Sequence, residues 1–337
     1  MRTPAAAVLI AATAVGGCLP FALACRPRTQ APAWVRTAPA DSVAAVSGQA
    51  AWILTHPEVR ALLSRDPAVD RALDLFLQKA RINPRTETGR VTLHLVGHPP
   101  AEGEGPGKAL ELALVQLQDF RDPAALVAAL AEAFPQEGSL RIQGRDWPLH
   151  VILDVQAGAV KAHIRAASDE KGQVWIGSLE GLNRMAAKPA LGTQEEMALA
   201  AEWINPKAPF QGYLQPEILL SGLRKGLEGV VTQELPRGVK ALFWSVTPGD
   251  TRDQPVRFEL AMSGTPEGIT QVAPWIQRLV AVANTVQAAP GATPELMQEK
   301  RRVGLRCALT PEQLKLVMEK LGQPSVNLLQ APGGRRA

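Results

Sequence analysis

Apolar and polar residues alternate along several stretches of the chain, a pattern that predicts strands with one buried face. The clearest are residues 90–97 and 109–117, where apolar side chains occupy every second position. Apolar residues recur every three or four positions both before residue 90 and after residue 117, and this spacing predicts a helix on each side. The second helix opens at Asp122-Pro123, because Asp caps helix starts and Pro is tolerated in the first turn.

The same order of elements returns later in the chain. Strand patterns at 210–214, 239–246 and 256–262 combine with helix patterns at 218–227 and from residue 265 onward. We therefore predict an α+β chain of two tandem strand-helix-strand-strand-helix modules, with mainly antiparallel sheets and helices packed on one face. Hairpin strands between 140 and 177 extend the first module.

These patterns divide the chain into five parts. We predict a signal segment at 1–25, a tether at 26–39, a first module at 40–190, a second module at 191–322 and a flexible tail at 323–337. The tether is assigned from its Pro, Arg, Thr and Ala content, with Trp34 as its one large apolar residue.

The start of the chain has the layout of an export signal. Arg2 precedes the apolar stretch from Ala5 to Val15, and small residues follow. Cys18 and Cys25 come next, and the pattern resembles the lipobox of bacterial lipoproteins. That resemblance implies a diacylglycerol on one of these cysteines and cleavage just before it.

The two cysteines compete for that role. Val15-Gly16-Gly17 before Cys18 fits the lipobox better, whereas Cys25 is followed by a polar, proline-containing stretch suited to a tether. The alternatives are an uncleaved N-terminal membrane anchor and an ordinary secretory signal. Each of these interpretations places the body outside the cytoplasm, facing the periplasm or the exterior.

The basic character of the chain belongs to its ends. The formal net charge is +4, but residues 1–40 hold four arginines and no acid, so without them the charge is 0. Without Arg335 and Arg336 it is −2. A body of this kind lacks the basic surface that nucleic acids require, so no nucleic-acid partner is expected.

Chemical motifs are weak throughout the body. Residues 103–109, GEGPGKA, lack the first glycine and the Ser or Thr of a phosphate-binding loop, and no Gly-x-Ser-x-Gly motif occurs. The histidines lack zinc-site spacing, so surface or half-buried strand positions are predicted for the set His94, His98, His150 and His163. Cys307 is predicted to be a small core residue. We therefore expect no cofactor and no metal, and assign no catalytic residue.

Turn and cap residues add a family resemblance. The Pro39–Ser42 turn before the first strand, the Ile82–Pro84 turn before the next, and the repeated element order resemble the lipoproteins and envelope proteins of unknown function predicted in bacterial genomes. The resemblance implies a fold and a compartment. The expected function is non-catalytic binding or scaffolding at the cell envelope, with the membrane and an unidentified envelope protein or ligand as partners. An envelope hydrolase and a periplasmic domain of a membrane-anchored assembly are the alternatives.

Overall fold

The computed structural model describes residues 31–55, 64, 67–97, 110–157, 160–187, 194–216, 238–247, 255–286, 294–310 and 313. These residues form a mixed fold of helices and strands with a large antiparallel sheet of twelve strands. The prediction of an α+β chain with mainly antiparallel pairing is thus confirmed.

Helices and strands alternate along the described part of the chain. The helices are α1 (Ala33–Thr37), α2 (Ala50–Ile53), α3 (Pro67–Lys79), α4 (Pro123–Ala133), α5 (Leu179–Ala187), α6 (Glu195–Ala201) and α7 (Pro266–Val286). The strands are β1 (Ser42–Gln49), β2 (Arg90–Gly97), β3 (Leu110–Gln118), β4 (Gln136–Ile142), β5 (Arg145–Ala157), β6 (Val160–Ser168), β7 (Val174–Ser178), β8 (Phe210–Leu214), β9 (Val239–Thr247), β10 (Val256–Gly264), β11 (Glu295–Glu299) and β12 (Arg302–Leu309).

The chain divides into two compact units. The first unit comprises residues 32–195 and 209–214, and the second comprises 196–208 and the described residues from 215 onward. The predicted module boundary at 190 lies near this division. However, β8 was predicted to open the second module and instead groups with the first unit, because it pairs with β1 from Ala44 to Gly48.

In the first unit the strand order is β8-β1-β2-β3-β7-β6-β5-β4, and every paired neighbour is antiparallel. The apolar positions of β2 and β3, such as Val91 and Leu117, join the main core with Leu73 of α3 and Leu130 of α4. Helix α4 begins as predicted, since the Asp122 carboxylate accepts a hydrogen bond from the backbone N–H of Ala125 at 2.9 Å.

In the second unit the strand order is β11-β12-β10-β9. Helix α7 packs on β12, β11 and β10 and buries Ile269, Val272 and Ile276. It starts where the sequence predicted, with the Thr265 hydroxyl accepting from the N–H of Gly268 at 3.2 Å. The predicted helix at 218–227 and the tail at 323–337 lie outside the described residues.

The predicted tether is folded at its C-terminal end. Residues 33–37 form α1, and Trp34 and Val35 are buried. Extending the tether to residue 39 was therefore wrong, because a single large apolar side chain in a Pro- and Ala-rich stretch was enough to anchor a helix to the sheet. No helix in the described part of the chain combines the length and apolar character needed to cross a membrane.

Candidate functional site

One face of the first unit's sheet carries a fully buried patch of polar side chains beside apolar ones such as Leu114 and Trp175. We call it the polar face and define it by side chains that lie side by side on β8, β1, β2 and β3: Gln211, Ser47, Thr92, His94 and Gln116. The register places Ser47 opposite both Gln211 and Thr92, and Thr92 opposite Gln116. All five have zero exposure to solvent. Because buried polar groups are costly unless they are hydrogen-bonded, their partners decide what this face does.

Helix α1 covers the polar face and supplies several of those partners. The indole Nε1–H of Trp34 donates to the Oε1 of Gln211 at 2.6 Å. The Nε2 of Gln116 donates to the Thr37 hydroxyl at 2.7 Å, and that hydroxyl donates to the backbone oxygen of Trp34. Residues far apart in the chain are thus joined through neutral hydrogen bonds.

His94 ends this chain of hydrogen bonds. Its Nε2 lies 3.2 Å from the Oε1 of Gln116, and since that oxygen only accepts, Nε2 carries the proton. Nδ1 is then a bare acceptor, and it is buried without a hydrogen-bond partner in the described structure. The ring centroid lies 5.1 Å from that of Trp175 and 6.1 Å from that of Trp34.

Burial governs the protonation of His94. It lowers the pKa of the imidazole to about 4, and the hydrogen bond to Gln116 opposes this only in part. His94 is therefore neutral near pH 7. The predicted surface or half-buried position was wrong for His94, and for His150, whose Nδ1 lies 3.1 Å from the backbone oxygen of Phe134. His98 lies outside the described residues.

The residues that follow α1 are fixed to the body of the first unit. The Asp41 carboxylate pairs with Arg184 of α5 at 3.0 Å. The backbone oxygen of Ala40 accepts from the side-chain amide of Gln194 at 3.1 Å. Only Ala38 and Pro39 separate these attachments from α1.

A second polar cluster surrounds Arg165 of β6, near the end of the first unit's strand order that lies away from β8 and β1. Its guanidinium donates to Glu137 of β4 at 2.5 Å and to Asp154 of β5 at 2.6 Å. Asp154 also lies 3.0 Å from the Nδ1 of His163, which is exposed as predicted. The hydrogen bonds from Arg165 hold the pKa of both carboxyl groups below their ordinary values, and they raise the pKa of the guanidinium.

The second unit also has a polar sheet face, but a charged one. Glu259 of β10 accepts from the Ser245 hydroxyl at 2.9 Å, from the guanidinium of Arg306 at 2.8 Å, and from the N–H of Asn205. Arg302 of β12 binds Glu299 and Glu202 and lies 4.2 Å from the ring centroid of Trp203. This face is covered by residues from 196–208.

The sequence holds a signal for these two covers that the element order did not reveal. Trp34-Val35 is followed by Ala38-Pro39 just before β1. Trp203-Ile204 is followed by Ala208-Pro209 just before β8. In each case the aliphatic residue and the alanine are buried. The two segments share these residue types in the same order, with spacings that differ by one residue, which is the kind of signal an internal repeat leaves.

The predicted site residues fall elsewhere or take other roles. Cys18 and Cys25 lie outside the described residues. Cys307 is buried, as predicted for a core residue. Ser178 accepts from the N–H of Gly181 at 3.0 Å, as predicted for a helix cap. Within the described ranges, no group of three or more His, Cys, Asp or Glu residues is arranged to hold a metal ion.

Comparisons with known proteins identify no family for this chain. No protein-family model matches the chain, and no curated protein matches it. Among solved structures, crystal form I of TP0453 is similar at 10% sequence identity and a TM-score of 0.34, covering 85% of this chain and 96% of that chain. A likeness at this level carries no argument about function.

Proposed function

We propose that the chain is an exported cell-envelope protein, held on a membrane by a lipid on Cys18 or Cys25 and facing the periplasm or the exterior. Support comes from the uncharged apolar stretch after Arg2 and from the small residues that precede each cysteine. With a lipid on either cysteine, α1 would be the first described helix after the tether that leads from the membrane.

We propose that its role is non-catalytic binding or scaffolding, for an unidentified envelope protein or ligand. The observation that carries this role is the polar face. Its two glutamine amides form directional hydrogen bonds to a short segment, and its imidazole is neutral and bonded to one of those amides, which is how a receptor holds a neutral ligand. His94 is largely unprotonated at neutral pH, and the charged groups of the Arg165 cluster are paired with one another.

Metabolic labelling with a clickable fatty acid in a bacterial host tests the anchor. The wild type, Cys18→Ser, Cys25→Ser and the double variant are compared, with Cys307→Ser as a matched control on the buried cysteine. We expect label in the wild type and the control, and its loss in one single variant. No label in the wild type, with the precursor mass retained, would overturn the lipid anchor and favour the periplasmic domain of a membrane-anchored assembly.

We also propose that the two units are tandem copies of one module, although the first unit carries helices on both sheet faces, with α1 on the polar face and α3 and α4 on the other. In each, two consecutive strands pair, β2 with β3 and β9 with β10. A helix follows, and it begins with a capping residue and Pro: Asp122-Pro123 for α4 and Thr265-Pro266 for α7. The last strand then pairs with the second of those strands (β7 with β3, β12 with β10) and leads to a capped helix start. Superposition of the two sets in a crystal structure tests the repeat, and sets that do not superpose would contradict it.

One observation favours an envelope hydrolase as a second candidate. Asp154 holds the Nδ1 of the exposed His163, which leaves Nε2 available to take a proton from water. Hydrolysis of p-nitrophenyl acetate by the wild type and His163→Gln tests this candidate. Equal background rates for the two would exclude His163 as a general base.

A further inference from the structure

We infer that α1 is an internal ligand of the polar face, and that this face is a binding site for a tryptophan-bearing peptide segment supplied by a partner. The inference deepens the proposed binding role and rests on it. It does not depend on the lipid anchor.

The first step is that α1 depends on the sheet for its stability. The helix has five residues and no side-chain hydrogen bond at its N-cap, Pro32. A helix of this length is unstable in water without tertiary contacts. The attachments of Ala40 and Asp41 hold β1 in the sheet, so for α1 to leave, the chain must turn at Ala38 and Pro39, which are buried while α1 is docked.

The second step is that the sheet keeps its main core when α1 leaves. The opposite face of the same strands packs against α3 and α4, and neither Trp34 nor Val35 belongs to that core. The groups that α1 covers are amides, hydroxyls and an imidazole, which water solvates well. Opening is therefore a local event rather than global unfolding.

The third step defines the ligand. Gln211 accepts from an N–H donor, Gln116 donates to an acceptor three residues further along the segment, and the space that Trp34 fills is that of a large, buried aromatic side chain. Helix α1 meets both requirements but leaves the Nδ1 of His94 without a donor. A partner segment that also donates an N–H or O–H to His94 gains a hydrogen bond that α1 does not make. That gain is what allows a partner to displace the internal segment.

The test uses a dye-labelled peptide of residues 31–40, APAWVRTAPA, added to the full-length protein and followed by fluorescence anisotropy. Trp34→Ala weakens the internal segment, so we expect saturable binding to this variant. We expect none to the wild type at the same peptide concentration, because the tethered segment competes at a high effective concentration. Trp203→Ala, which alters the matching tryptophan of the second unit, is the control and is expected to behave as the wild type does.

Two changes establish that binding uses the polar face. The peptide with Ala in place of Trp is expected to bind at least about tenfold more weakly, as for a central aromatic contact. Gln211→Leu in the Trp34→Ala background is expected to do the same. Absence of binding to folded Trp34→Ala, or binding that ignores both changes, would overturn the inference.

A second measurement covers the case in which Trp34→Ala does not fold. Thr92→Cys and Leu93→Cys place thiols at adjacent, fully buried positions on opposite faces of β2. Maleimide labelling, read at each position by mass spectrometry, is expected to be at least about tenfold faster at position 92, since local opening exposes that face alone. Equal rates at the two positions would mean that α1 leaves only on global unfolding, which would overturn the inference.

The outcomes separate this inference from the proposed anchor. Peptide binding without fatty-acid label would leave the polar face as a binding site and remove the lipid. Label without peptide binding would do the reverse.

Discussion

Acid is expected to weaken the fold through His94 before it protonates most carboxylates. The unfolded chain binds a proton at His94 near pH 6.5, whereas the folded chain does so near pH 4 because the imidazole is buried. Above pH 6.5 neither state is protonated, and below pH 4 both are. The stability contributed by neutral His94 is therefore full above pH 6.5 and is lost as the pH falls from 6.5 to 4.

The size of the effect follows from the two pKa values. Their difference corresponds to about 3 kcal/mol of unfolding free energy, of which about 2 kcal/mol is lost by pH 5. Domains of this kind have a total stability of about 5–15 kcal/mol, so the effect is large enough to measure.

The assay is urea denaturation followed by circular dichroism between pH 7.5 and pH 5. His94→Gln keeps an amide donor for Gln116 and does not titrate, so its stability is expected to change far less with pH than that of the wild type. His163→Gln, at an exposed position, is expected to keep the wild-type slope. Parallel curves for the wild type and His94→Gln would refute the assignment of His94 as a buried neutral imidazole.

Three further predictions concern single side chains. Glu259→Gln is expected to lower the unfolding free energy by about 2 kcal/mol, since this buried carboxylate accepts three hydrogen bonds, whereas the exposed Glu295→Gln is expected to cost less than about 0.5 kcal/mol in the same urea titration. Gly172→Ala is expected to cost more than about 2 kcal/mol, because φ is +80° and a Cβ would lie 2.3 Å from a proline carbon, while Gly138→Ala meets open space and is expected to leave Tm nearly unchanged. Arg165→Gln is expected to raise the pKa of the two carboxyl groups that it binds, as followed by ¹³C NMR, and unchanged values would contradict the paired geometry.

Features decided by neighbouring residues in the chain were predictable. The capping box of Thr310 and Gln313 forms both of its hydrogen bonds, at 3.0 and 3.3 Å. The cap at Ser178 and the start of α4 at Pro123 also lie where the sequence placed them. Each depends on a side chain and a backbone group within a few residues, so the local sequence contains all the information that is needed.

The polar face was not predictable in the same way. Alternation along β2 shows that Thr92 and His94 share a face, but it does not show what covers that face. The default interpretation of such a face is solvent. Here the cover comes from Trp34, whose hydrogen-bond partner Gln211 lies 177 residues away in the sequence. Residues this distant come together only through the order of the strands in the sheet. Alternation along a single strand does not predict that order.

The two tryptophan segments argue that binding belongs to the first unit. In the second unit, Trp203 stacks on Arg302, and that arginine is satisfied by Glu299 and Glu202, so the segment is held by charge pairs. In the first unit, the segment of Trp34 is held by neutral hydrogen bonds and leaves a buried acceptor unmet on His94. Opening of this segment would take Glu202 away from the guanidinium of Arg302, which is itself buried, and a buried charge that loses a partner is costly. If, as proposed, one module gave rise to both units, the covering segment of the second unit is held by ion pairs, whereas the proposed partner segment would replace a cover that is held by neutral hydrogen bonds.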